Sequence, residues 1–227
     1  MSDLFKFLLS LTIILPVAVG IFRYKNADPV YKPFLYYIFF SLFNELWVGL
    51  YLNTHTREIR TLNWHIFNLL EWLMLLVQFY FWGRFKKARS LFYVILICSL
   101  VGWAYENFIY STVYVFNPVF LISYSFFLVL LSVNAINSTF AQHNQILSKN
   151  GLFIICVGML IFFIYTIIVF LFMAMDTRYD KQLIQRIFNI RVYINALANI
   201  IYAIGIYYIP ARGVHDAFFK SNRKLIS

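Results

Sequence analysis

The sequence predicts an all-α integral membrane protein, a bundle of seven transmembrane helices, and three observations carry that prediction. Of the 227 residues, 62% are hydrophobic and 21% aromatic, while only 12% are charged. Soluble domains run at about 45–50% apolar and about 25% charged, so a soluble core cannot hide this many Phe, Tyr, Leu and Ile side chains. The apolar residues fall into seven runs of about 20, the length a helix needs to cross the hydrocarbon of a bilayer. The basic residues gather in the short connections between those runs.

The first run covers residues 4–22. Lys6, the apolar stretch and Ala18-Val19-Gly20 have the layout of a secretory signal. The run reads instead as a retained first helix, kinked at Pro16, which a membrane helix tolerates. Asp28-Pro29 and Lys32-Pro33 then break the chain before the second run, 34–53. The third run, 62–82, is framed by Trp64 and Trp82, which are expected as interfacial anchors. The fourth, 91–110, ends in Tyr105, Glu106 and Asn107. Asn117-Pro118 precedes the fifth, 119–141, and Asn150-Gly151 opens the sixth, 151–174. The seventh covers 187–209, so the domain organisation is one transmembrane domain over 1–209 and a basic tail over 210–227.

Counting Lys and Arg by side sets the orientation. One side collects Arg23, Lys25, Lys32, Arg84, Lys86, Lys87, Arg89, Lys149, Arg212, Lys220, Arg223 and Lys224. The other collects Lys6, Arg57, Arg60, Arg178, Lys181 and Arg186, half as many. The positive-inside rule therefore puts the N-terminus outside and the C-terminus in the cytoplasm of a plasma (inner) membrane. The same rule, with anionic headgroups, explains the net charge of +10 without nucleic acid as a partner. The partners expected are the lipid bilayer, a small ligand or lipid, and a protein docking at the basic tail.

Polar residues inside the runs carry the functional expectation. A charge near the bilayer centre costs about 2.5–3.5 kcal/mol on insertion scales, so such residues face the bundle interior and meet partners. At 100° per residue, Asn68, Glu71, Leu75 and Gln78 share one face of the third run, with His65 beside it. Ser41, Asn44, Glu45 and Val48 form one stripe on the second run, and Arg191, Asn195, Asn199 and Tyr202 one stripe on the seventh. A rise of about 1.5 Å per residue puts Glu45, Glu71 and Asn195 at about the same depth, some 12–14 Å from one face, with Arg191 shallower. Asn44, Glu45, His65, Asn68, Glu71, Arg191, Asn195 and Asn199 are accordingly the candidate ligand- or proton-binding residues. The alternative is an interhelical clamp in which Arg191 pairs with Glu45 or Glu71.

Several sharper chemistries lack their residues. No run carries a central lysine for a retinal Schiff base, and no cofactor is expected. His55, His65, His143 and His215 are too scattered for a metal site. Ser41 with His65 could form a nucleophile and base on paper, but no spacing favours it. Cys98 and Cys156 both read as buried small hydrophobes. Asn137-Ser138-Thr139 matches a glycosylation acceptor by chance, at a cytoplasmic helix end. Trp47 is expected to point away from Glu45, and Trp72 to meet either lipid or a pocket. The function expected is binding or sensing of a small ligand or proton between the second, third and seventh helices. A small proton-coupled transporter and an intramembrane lipid-modifying enzyme are the alternatives.

Overall fold

The computed structural model describes residues 3–86, 88–141, 147–174 and 181–212. The described residues are helical, with a lone antiparallel bridge between Ala27 and Ala211 and no strand. The helices are α1 (Asp3–Ser10), α2 (Ile14–Arg23), α3 (Lys32–Leu50), α4 (Arg57–Phe81), α5 (Arg89–Tyr105), α6 (Val119–Phe140), α7 (Gly151–Ala174) and α8 (Lys181–Tyr207). Five segments are long and apolar enough to cross a membrane: Pro29–Leu50, Arg89–Tyr110, Val119–Phe140, Gly151–Met173 and Asn189–Tyr207. Residues 213–227, which hold nearly all of the basic tail, lie outside the described residues, as do His143 and Arg178.

The predicted first helix is divided. Residues 11–13 tighten into a 3-10 turn, and regular helix resumes at Ile14. The cause is Pro16, whose ring excludes the carbonyl of residue 12 from the usual bond. The hydroxyls of Ser10 and Thr12 bond back to the Phe7 and Leu9 carbonyls at 2.8 and 2.7 Å, which suits a bent helix.

At 25 residues α4 is long enough to cross a bilayer, but its polar residues keep its mean hydropathy low. They are spent inside the bundle, since Thr61, His65, Asn68, Glu71 and Gln78 are all buried. Gln78 shows how. Its Oε1 accepts from the Phe34 N–H at 2.6 Å and its Nε2 donates to the Val30 carbonyl at 2.8 Å. It thereby satisfies a backbone N–H in the first turn of α3, which no intrahelical carbonyl can reach.

Glycines set how closely the last two helices approach. A Cβ on Gly205 would lie 2.6 Å from Ile155, and one on Gly158 would lie 2.7 Å from the Tyr202 ring. Small residues at such a contact bring backbones together, which is how helices gain packing energy where no water drives them. The end of α8 is also clasped to the loop after α2. Asp28 N–H donates to Pro210 O at 3.0 Å, Arg212 N–H donates to Asn26 O at 2.8 Å, and the Arg23 guanidinium donates to Ile209 O.

The outer surface is apolar. On α5 only Phe92 is buried, while Leu91, Val94, Ile97 and Val101 are exposed. A surface of this kind suits hydrocarbon rather than water. Three expectations change here. Trp82 is buried against Tyr31 and Phe79, at ring distances of 5.8 and 5.2 Å, and is not an interfacial anchor. Cys98 is exposed, because α5 turns that face outward, whereas Cys156 is buried. The predicted run 91–110 loses regular α geometry at Tyr105. The chain widens over Glu106–Tyr110, and Ser111 N–H reaches back to Glu106 O at 3.0 Å.

Candidate functional site

Two of the three predicted stripes converge with Glu71 on one cavity of about 730 Å³. Ser41, Asn44 and Glu45 of α3 line it, together with Arg191, Asn195, Asn199 and Tyr202 of α8. The period of 3.6 residues explains the agreement, since each set recurs on one side of its own helix. Val48 is not among the lining residues, because the α3 wall ends near Glu45.

Each oxygen of the Glu71 carboxyl accepts a hydrogen bond from a tyrosine. The Tyr37 hydroxyl donates to its Oε1 at 2.8 Å and the Tyr124 hydroxyl to its Oε2 at 2.6 Å. The donors come from α3 and α6, so a single carboxyl ties three helices together at the core. The Tyr124 oxygen also lies 3.3 Å from Asn68 Oδ1, while Asn68 Nδ2 is buried without a partner. Because the Tyr124 proton is already given to Glu71, the favoured Asn68 amide orientation is the one whose NH₂ donates to Tyr124. Asn68, Tyr124, Glu71 and Tyr37 then form one chain of hydrogen bonds.

The cation behaves differently. The Arg191 guanidinium lies over the Phe170 ring, 4.9 Å from its centroid, and within electrostatic reach of Glu71 and Glu45. Among the described residues it forms no ion pair and no hydrogen bond, and Glu45 forms none either. The clamp expected between Arg191 and a carboxylate is therefore open. The reason is the pair of tyrosines: Glu71 already has two donors, and its carboxyl is turned towards them.

The remaining candidates divide. Asn199 Nδ2 donates to Thr12 Oγ1 at 3.0 Å, which fixes α8 against the 3-10 turn before α2. Asn44 Oδ1 accepts from Asn63 Nδ2 at 3.1 Å, tying α3 to α4. His65 and Asn68 do not line the cavity. His65 Nε2 donates to the Val115 carbonyl at 3.1 Å, and its own carbonyl accepts from Trp103 Nε1 at 3.2 Å. Its position flanking the Glu71 stripe turns its ring towards the loop before α6, away from Ser41.

Sequence reasoning missed Tyr37, Tyr124, Thr12 and the first helix, whose Phe7, Ser10 and Ile13 form one wall. With 17 tyrosines in the chain, no pattern distinguishes the two whose hydroxyls find Glu71. Tyr124 and its neighbour Trp72, with rings 5.8 Å apart, separate the cavity from a second space between α5 and α6. No protein-family model matches this chain, and no curated protein or solved structure matches it.

Proposed function

We propose that the chain is a seven-helix plasma (inner) membrane protein that binds a small polar ligand in the cavity between α1, α3, α4 and α8. Treating α1 with α2 as one bent crossing gives seven rods. The clasp between the loop after α2 and the end of α8 supports that count, because the six crossings from α3 to α8 are an even number and return the chain to the same face. The excess of Lys and Arg on that same face supports an N-terminus outside and a C-terminus in the cytoplasm. The cavity then opens to the outer half, where Arg60 at the start of α4 lines it beside Asn44 and Glu45.

The open guanidinium of Arg191 carries this reading. Arg191 is half-buried, and a cation so enclosed without an ion pair carries a desolvation cost that a ligand bringing an anionic group would offset. Glu45 across the cavity suits a donor on the same ligand. A volume of about 730 Å³ falls within the range of about 300–1,000 Å³ typical of small-molecule sites. The ligand best matched is therefore a small solute bearing both an acidic group and a hydrogen-bond donor. Binding would shift α8 against α3, and the basic cytoplasmic loops would carry the change onward.

The test is to purify the protein and identify co-purifying small molecules by mass spectrometry, with Arg191→Ala and Glu45→Gln alongside. The expected result is an acidic solute lost from Arg191→Ala and depleted in Glu45→Gln, while both variants keep their thermal unfolding transitions. Folded variants that retain every co-purifying molecule would overturn the proposal.

A further inference from the structure

A second space, of about 690 Å³, lies between α5 and α6, on the far side of Trp72 and Tyr124 from the polar cavity. Its walls are mostly apolar, with Val94, Ile95, Cys98, Phe120 and Phe127 among them. Gly102 on α5 faces open space, since a Cβ built there meets nothing within 4 Å. Val94 and Cys98 are exposed on the outer surface as well, so the groove is open sideways, towards the position of lipid chains.

One end of this groove is polar. Glu106 lines it and is only 5% exposed. Its Oε2 accepts from the Phe120 N–H at 2.6 Å, in the first turn of α6. That end of a helix carries exposed N–H groups and a partial positive charge, which holds a carboxyl oxygen in place. Its other oxygen, Oε1, is buried and has no partner. Leaving such an acceptor unmatched is costly, and structures seldom do so without a use for it.

We propose that the α5–α6 groove binds a single-chain amphiphile whose head donates a hydrogen bond, an ammonium or hydroxyl, to Glu106 Oε1. The chain lies along Val94, Cys98 and Gly102, against Phe127 and Trp72. The donor end meets Glu106, where the widened turn at Glu106–Tyr110 lifts the carboxyl onto α6. With Glu106 ionised, the free atom at that end is an acceptor only, so a head bearing only acceptors finds no donor there. The occupant is distinguished from bulk phospholipid by its head, which donates a hydrogen bond at Glu106.

The test uses the full chain in detergent micelles with two photoreactive probes, a diazirine-bearing long-chain amine and the matching long-chain carboxylic acid. Labelled peptides are mapped by mass spectrometry. The amine is expected to label residues of α5 and α6 about tenfold more than the acid, the discrimination that one charge-assisted hydrogen bond supplies. In Glu106→Gln the preference for amine over acid should collapse to nearly equal labelling. Gly102→Leu projects into the groove from a Cβ that meets nothing within 4 Å and should suppress labelling by both probes, with an unfolding transition no lower than that of the unaltered protein. Equal labelling by amine and acid in the unaltered protein would overturn the proposal. So would labelling in Gly102→Leu at the level of the unaltered protein, even if Glu106→Gln did not fold.

Discussion

Replacing single tyrosines by phenylalanine around the polar cavity gives three experiments that differ only in one oxygen atom. Tyr37, Tyr124 and Tyr202 are all buried. Tyr124 gives its proton to Glu71 at 2.6 Å and Tyr37 gives its own at 2.8 Å, while the Tyr202 oxygen has no partner. Hydrogen bonds to a charged group contribute about 1.5–3 kcal/mol, whereas interhelical bonds in a membrane protein have averaged about 0.6 and reached about 1.7. Glu71 lies at the centre of the bundle, so Tyr124→Phe should cost about 1.5–2.5 kcal/mol, the lower part of the charged-group range. Tyr37→Phe has the longer bond and should cost somewhat less. Tyr202→Phe removes a buried oxygen that satisfies nothing, so its effect should be zero or stabilising.

For a chain of this length, each kcal/mol corresponds to about 2–4 °C in the midpoint of thermal unfolding. Tyr124→Phe should therefore unfold about 3–10 °C below the unaltered protein, and Tyr202→Phe at or above it. The assay is thermal unfolding in one detergent, followed by intrinsic fluorescence. Pairing each variant with Glu71→Gln completes a double-mutant cycle, in which the coupling should be present for Tyr37 and Tyr124 and absent for Tyr202. Equal losses at all three tyrosines would refute the reasoning. The volume and burial of the rings, rather than the Glu71 bonds, would then account for their effects.

Other perturbations separate structural from functional residues. Gln78→Leu strands the Phe34 N–H and the Val30 carbonyl and should cost about 2–4 kcal/mol, read as a lowered unfolding midpoint with ligand retention intact. Gly205→Leu forces α7 and α8 apart at Ile155 and should cost at least about 1–3 kcal/mol, whereas Gly102→Ala, whose Cβ meets nothing within 4 Å, should leave the midpoint unchanged or slightly raised. In micelles, a membrane-permeant thiol reagent should modify Cys98 and spare Cys156 until the protein unfolds; equal rates at both would contradict the outward face of α5. A fluorescent reporter fused after Ser227 should light up in the cytoplasm, and a dark reporter there with a bright one at the N-terminus would invert the proposed orientation.

How much of this was legible in the sequence differs from element to element. The α7 bounds agree with the predicted run at both ends, because Asn150-Gly151 opens the helix and the apolar run has no interior charged or amide side chain to shift its limits. Glu45, Glu71, Arg191, Asn195 and Asn199 were legible as one group because period and depth follow from helix geometry alone. Their hydrogen-bond partners were not legible. Which of several tyrosines meets Glu71 depends on the rotation of α3 and α6 about their own axes, and apolar packing across the whole bundle fixes those rotations. Trp82 and Cys98 were misplaced for the same cause, since a period names a helical face without saying what lies opposite it.

The sequence by itself determined a helical chain with apolar segments long enough to cross a membrane, and it determined which polar residues share a face. Those properties depend on composition and on local geometry, so no contact between distant residues enters into them. Only the tertiary structure decided that Glu71 is held by two tyrosines, that Arg191 is left open, and that Glu106 keeps one oxygen free. Each of these is a competition among partners brought together by different helices. A carboxyl accepts from whichever donors packing brings nearest, and Arg191 is the cation that lost this competition.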